Sequence, residues 1–296
     1  MALRRPPEGI TLATAHDIDR EWRIMAALDH DGYVPVPRCL ARCDDPDVTG
    51  APFYVMSFVE GRILRTSTDG AELSATQADA ATQGLVEAQI AFHTVDLEAV
   101  GLADLGRHHG YVARQLKRWV SQVDRAATRP LPLVSEVHDA LVARIPPERA
   151  APGLAHGDYR FDNVVLADDF SVAAVLDWEL CTTGDPIADF VWSVQYWGDP
   201  GDPITWLPDP PTVADGFPRR SEVVERYRDR TGFDLSDYPF YEAFSWWKQA
   251  CIVEGAYARR LRGSAGGMSP SGPVSAIAER ADRMLDHAHA LVRGLD

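Results

Sequence analysis

The chain has 296 residues, with 29 lysines and arginines against 44 aspartates and glutamates, a formal charge of −15 at neutral pH. That length suits one large domain or two small ones, and 46% hydrophobic with 25% charged residues excludes disorder, a collagen helix and a coiled-coil rod. The excess of carboxylates opposes the counterion release that drives nucleic-acid binding and disfavours an anionic membrane surface, so neither is an expected partner.

Leu3 to Arg5 reads as the end of a strand, and Pro6-Pro7-Glu8-Gly9 as a loop. From Asp17 to Leu28, the residues Ile18, Trp22, Met25 and Leu28 fall at helical spacing with charges between them, which predicts a short amphipathic helix. Cys39–Cys43 and Phe53–Phe58 read as strands joined by the turn-rich Asp44-Asp45-Pro46-Asp47. Ser74-Ala75-Thr76-Gln77 is a capping-box pattern that opens a helix carrying Leu85, Ile90 and Phe92. Helices are also expected over 111–126 and 133–144. Asn163–Leu166 and Val172–Leu176 are short β-rich runs around the turn Ala167-Asp168-Asp169-Phe170, a predicted hairpin. Asp185-Pro186 supplies an N-cap and a first-turn proline for a helix reaching about Tyr196. A proline-rich loop over 198–218 and helices over 221–231, 238–262 and 274–294 follow, with Gly263–Pro273 as a connector. The expected architecture is α+β: a small α/β lobe over residues 1–60 and a mainly helical lobe over 61–296.

Cys39, Cys43, Cys181 and Cys251 are too few and too scattered for a disulfide framework, and no second ligand pair completes a zinc site with Cys39 and Cys43. The N-terminus has basic residues but no apolar stretch after them, and no run approaches bilayer length. A cytoplasmic protein is expected.

Phosphoryl transfer from a nucleotide needs a carboxylate near the acceptor hydroxyl and oxygen ligands for magnesium. His156-Gly157-Asp158-Tyr159-Arg160-Phe161-Asp162-Asn163 offers both, because Asp158 and Asn163 have the separation of the Asp and Asn in a kinase catalytic loop. Asp177 ends the second strand of the predicted hairpin, and Asn163 begins the first. Antiparallel pairing would therefore bring them together.

On these residues the sequence resembles the aminoglycoside phosphotransferase and choline kinase group of protein-kinase-like enzymes. The signature is His156-Gly157-Asp158 with Asn163, then Leu176-Asp177-Trp178-Glu179, then Gly184-Asp185-Pro186 with Asp189. Leu3-Arg4-Arg5, Pro35-Val36-Pro37-Arg38 and Phe53-Tyr54-Val55-Met56 are similar to a narrower branch, the kinase-like domains of acyl-CoA dehydrogenase family proteins. The resemblance implies a bilobal protein-kinase-like fold, ATP or GTP held between the lobes, and Mg2+ held by Asn163 and Asp177. Asp158 would orient or deprotonate the hydroxyl of a small-molecule acceptor. Arg4 would stand where many relatives have a phosphate-binding lysine, paired with Glu21. Met56, Ser57 and Phe58 would be the hinge that meets the nucleobase. His156 is expected to tie the catalytic loop to its lobe, and Asp185 and Asp189 to anchor that loop.

The alternatives are a turn-capping Asp158, a surface ion pair for Glu21, plain core packing for Met56–Phe58 and a solvated Glu179. The aromatic group Tyr238, Phe240, Tyr241, Phe244, Trp246 and Trp247 reads as helix core, with an acceptor pocket as the alternative. A complete small lobe of this fold opens with two strands joined by a loop over the phosphates, whereas Leu3 stands at the place of the third strand. The expectation is a chain without that loop. A magnesium-dependent phosphotransferase is the leading reading, and a non-catalytic kinase-like module that binds a nucleotide or partner is the other.

Overall fold

The computed structural model describes residues 1–6, 17–202, 204–263 and 273–295. Pro7–Gly9 of the expected first loop and residues 264–272 of the expected connector lie outside them. In chain order the described residues form β1 (Ala2–Arg4), α1 (Ile18–Asp31), β2 (Cys39–Cys43), α2 (Pro46–Thr49), β3 (Phe53–Met56), α3 (Ser67–Ala71) and α4 (Ala75–His93). There follow α5 (Tyr111–Ala126), α6 (Pro132–Val142), β4 (Gly153–Ala155), β5 (Val164–Leu166), β6 (Val172–Val175), β7 (Thr182–Gly184) and α7 (Pro186–Val194). The last helices are α8 (Arg220–Thr231), α9 (Tyr238–Leu261) and α10 (Val274–Arg293). Two compact units result: Met1–His108 with Ala151–Phe233, and His109–Ala150 with Asp234–Asp296. Residue 60, the expected lobe boundary, falls inside the first unit.

In the first unit, β1, β3 and β2 form an antiparallel sheet with β3 in the centre. Arg4 pairs with Tyr54 and Cys43 with Phe53, and a bulge interrupts β2 between Cys39 and Ala41. Helix α1 starts at Asp17, whose carboxylate accepts the Arg20 N–H at 3.1 Å, and stops at Gly32, which takes the left-handed conformation at φ 74°. Its buried face is Ile18, Glu21, Ile24, Met25 and Leu28. Trp22 is only half-buried. A carboxylate thus occupies the face that the apolar spacing assigned to tryptophan, and a buried carboxylate demands a partner.

Helix α4 carries the expected cap, with Ser74 N–H donating to Gln77 Oε1 at 2.9 Å and Gln77 N–H to Ser74 Oγ at 3.3 Å. Strands β5 and β6 pair with Val164 opposite Val175. Strands β4 and β7, absent from the sequence reading, pair with Gly153 opposite Gly184 and lead into the catalytic-loop sequence. Strand β3 ends at Met56, short of the expected Phe58: the Ser57 N–H still reaches the Arg38 carbonyl at 2.8 Å, but the Arg38 N–H goes to the Ser57 side chain instead of its carbonyl.

The second unit consists of α5, α6, α9 and α10. Phe240, Tyr241, Phe244, Trp246 and Trp247 of α9 are buried in it, and the Trp247 indole donates to the Val134 carbonyl at 2.9 Å. These aromatic residues are helix core. Among the described residues no helix is long and apolar enough to cross a membrane.

Gly153 is a packing constraint beneath the catalytic loop, since a Cβ there would lie 2.1 Å from the His93 carbonyl oxygen. Gly153→Ala should destabilise by about 1–3 kcal/mol or more through forced backbone movement. Gly255 in α9 is the control, because its added Cβ would meet only Arg259 Nη1, at 3.5 Å. Gly255→Ala should stabilise by about 0.5–1 kcal/mol. Urea melts of the two variants should move in opposite directions, and a neutral Gly153→Ala would show that β4 is free to shift.

Candidate functional site

The site is assembled from the N-terminus of α7. Asp185 caps that helix by accepting the N–H groups of Ile187 at 2.9 Å and Ala188 at 3.3 Å, and Pro186 occupies the first helical position. One turn on, Asp189 is 2% exposed and accepts the N–H groups of His156 at 3.0 Å and Gly157 at 2.8 Å. It also meets His93 Nε2 at 3.1 Å, while His93 Nδ1 meets the Tyr227 hydroxyl at 2.6 Å. Burial pushes the Asp189 carboxyl up, but His93, His156 and the Gly157 N–H outweigh it and hold the group below the usual carboxylate range. Gly157, at φ 84°, is a position where a side chain would be strained.

His156 is fully buried. Its Nδ1 accepts the Asp158 N–H at 3.3 Å and its Nε2 donates to the Leu176 carbonyl at 2.9 Å. Both ring nitrogens are occupied in tying the loop to the end of β6.

Asp158 and Asn163 are in direct contact. The Asn163 amide donates to the Asp158 carbonyl at 2.8 Å and to Asp158 Oδ2 at 3.0 Å. Asp158 Oδ1 accepts the Tyr196 hydroxyl at 2.6 Å and pairs with Arg160 Nε at 3.3 Å. Asn163 closes a 3₁₀ turn, Phe161–Asn163, instead of beginning the strand as expected. Its carbonyl accepts the Leu176 N–H at 2.8 Å, which sets Asp177 beside it in the chain. Among the described residues nothing donates to Asn163 Oδ1. Asp177 takes the left-handed conformation at φ 64°, rare for a residue with a side chain, and keeps 39% of its side chain exposed. Burial and Glu179 push its carboxyl up against the pull of Arg4.

Arg4 of β1 joins these pieces. Its Nε contacts Glu21 Oε2 at 3.3 Å, and its Nη2 contacts Glu179 Oε2 at 2.6 Å and lies 3.6 Å from Asp177 Oδ1. Burial raises Glu21 despite the opposing charge of Arg4. Of the expected hinge, Met56 pairs with both Ala2 and Cys39. The Ser57 Oγ accepts the Arg38 N–H at 2.9 Å, and Phe58 is 68% exposed.

The structure therefore gathers Asp158, Asn163, His156 and Asp189 in one hydrogen-bonded assembly, with Asp185 at its helix end. Arg4, Glu21 and Asp177 form a charged cluster with Glu179. Tyr196, Arg160 and His93 were missed as site residues. Arg160 lay inside the motif already singled out, whereas Tyr196 and His93 carried no local signal. Among the described residues no three His, Cys, Asp or Glu side chains gather as a metal site. One amide oxygen and one carboxylate are a magnesium-type donor set, which draws its other ligands from phosphate and water.

The model of the phosphotransferase enzyme family matches residues 1–243. Acyl-CoA dehydrogenase family member 10 of Mus musculus is 36% identical over 270 residues, covering 90% of this chain. The chain spans only 25% of that relative's length. A solved protein of Ralstonia eutropha assigned as an aminoglycoside phosphotransferase is 33% identical, with a TM-score of 0.81 over 95% of this chain and 85% of its own. The GDP and kanamycin complex of a second aminoglycoside phosphotransferase superposes with a TM-score of 0.61 at 16% identity, covering 98% of this chain and 93% of its own. The last likeness shows the protein-kinase-like fold.

Asp189→Asn keeps the shape but removes the charge that gathers the N–H groups, and should cost about 2–5 kcal/mol at pH 7. The folded-state pKa of Asp189 lies below the unfolded value of about 3.9, so its contribution is complete above that value and is lost as pH falls through the folded one. Urea melts between pH 3 and 7 should show a shallower acid loss in the variant. Equal acid slopes would assign the effect to other groups.

Proposed function

The chain belongs to the phosphotransferase enzyme family, and from that premise we propose that it moves the terminal phosphate of ATP or GTP to a hydroxyl of a small molecule, with Asp158 receiving the hydroxyl proton. The observation that carries this reading is the convergence of Asp158, Asn163 and Asp177 through the Asn163–Asp158 hydrogen bonds and the Leu176–Asn163 backbone bond. A nucleotide donor is supported by the GDP in the aminoglycoside phosphotransferase of the same fold.

The residues present fit magnesium. Asn163 Oδ1 takes no hydrogen bond from a described residue, and the Asp177 carboxylate is partly exposed with its cation 3.6 Å away. Asn163 and Asp177 would hold the ion, which when bound offsets the charge of the nucleotide phosphates. The chain's own residues do the positioning. The Asn163 amide fixes the Asp158 main chain and carboxylate together, and Asp189 and His156 fix the loop that bears them. Arg4, steadied by Glu21, presents a forked cation to phosphate oxygens. Met56 and Ser57, at the end of central strand β3, lead to exposed Phe58, which offers a nucleobase an apolar surface.

Asp158→Asn should fold and bind nucleotide as the wild type does while lowering kcat by about 10²–10⁴-fold, measured by phosphate transfer across a panel of small hydroxyl acceptors. Full activity in that variant would remove Asp158 from the chemistry. For magnesium the readout is thermal stabilisation by ATP with and without the ion. Asp177→Ala should abolish the magnesium-dependent part and Asn163→Ala reduce it, because a carboxylate neutralises a hard cation and an amide only solvates it. Identical shifts with and without magnesium in the wild type would argue against a metal at these residues.

A further inference from the structure

The two oxygens of Asp158 differ in their surroundings. Oδ1 accepts the Tyr196 hydroxyl at 2.6 Å and faces Arg160 Nε at 3.3 Å, whereas Oδ2 has the Asn163 amide at 3.0 Å. A carboxylate rotates easily about its last bond, with a broad and nearly two-fold profile. The plane of the group is therefore set by what binds its oxygens. Building on the phosphotransferase reading, we propose that Tyr196 is a positioning residue, locking the Asp158 carboxylate by Oδ1 so that Oδ2 is the atom offered to the acceptor hydroxyl.

The lock is itself held. The Tyr196 ring meets Trp206 edge-on with centroids 5.2 Å apart, meets Trp192 at 6.4 Å, and carries the Arg160 guanidinium over its face at 5.3 Å. Arg160 is in turn fixed by Asp162 Oδ2 at 2.9 Å. Three neighbours thus fix the ring, and its hydroxyl arrives as a directed donor. Burial and the charge of Asp158 push the Tyr196 phenol well above its ordinary range, so it stays protonated. An O–H group bonded to a carboxylate is among the stronger hydrogen bonds in proteins. Holding the carboxylate in one orientation matters because small misplacements of a reacting group cost about 10²-fold.

Tyr196→Phe separates the two effects, since the ring contacts remain and only the hydroxyl goes. Steady-state phosphate transfer by the full chain should show kcat lowered about 10- to 100-fold, with KM for Mg-ATP and acceptor within about threefold. Added to Asp158→Asn, the change should cost less than about threefold further, because a residue acting through Asp158 has nothing left to position. If Tyr196→Phe does not fold, Tyr196→Leu, which is smaller and has no donor, carries the same expectation. An active wild type with an indifferent Tyr196→Phe, or a fully multiplicative loss in the double variant, overturns this inference and leaves the phosphotransferase reading standing. A wild type that transfers phosphate to no acceptor overturns both.

Discussion

Asp189 draws the N–H groups of His156 and Gly157 and the Nε2 of His93 onto one buried carboxylate, and the rest of the site inherits its position from that point. A carboxylate in a protein interior is costly unless donors saturate it. Here two donors are consecutive backbone groups of the loop that carries Asp158, so satisfying the charge and shaping the loop are one event. The Asp185 cap places Asp189 by fixing where α7 begins, and Tyr227 steadies His93 from the far side. His156 passes the constraint to the end of β6, beyond which Asp177 follows.

A second balance is set at Arg4, where one guanidinium faces the carboxylates of Glu21, Asp177 and Glu179. One guanidinium is shared among three carboxylates, and burial raises both Glu21 and Asp177 against its pull. The forked shape of arginine matters here. Its Nε reaches Glu21 of α1 while its Nη2 reaches Glu179, a division that the single point of a lysine ammonium makes poorly.

Much of this was legible because its causes are local. Ser74 with Gln77 and Asp185 with Pro186 signal helix starts within a few residues, and two short β-rich runs around a turn marked β5 and β6. Asp158 and Asn163 could be singled out because their contact spans five residues. Strands β4 and β7 could not, since Gly-Leu-Ala and Thr-Thr-Gly carry no pattern until they find one another across the chain. Glu21 is the clearest failure of periodicity. A charge on a helix face reads as solvated, and its burial is tolerated only because β1 delivers Arg4 from seventeen residues away. Tyr196 is 38 residues from the carboxylate it binds, and nothing near it in sequence reports that.

Five of the seven aspartates between residues 158 and 189 divide the work by what reaches them. Asp185 accepts backbone N–H groups of its own helix, and Asp189 those of a neighbouring loop. Asp162 is held on one side by Arg160, and Asp158 by Asn163, Tyr196 and Arg160. Asp177 differs, with a cation at 3.6 Å, a strained backbone and an exposed edge. Donors supplied by the protein neutralise the first two and orient Asp158. Asp177 is the one of the five that meets the fewest donors among the described residues. That gradient, from capped to oriented to open, runs through a single stretch of chain, and the structure separates a helix cap, a loop anchor, an oriented carboxylate and an open one by geometry alone.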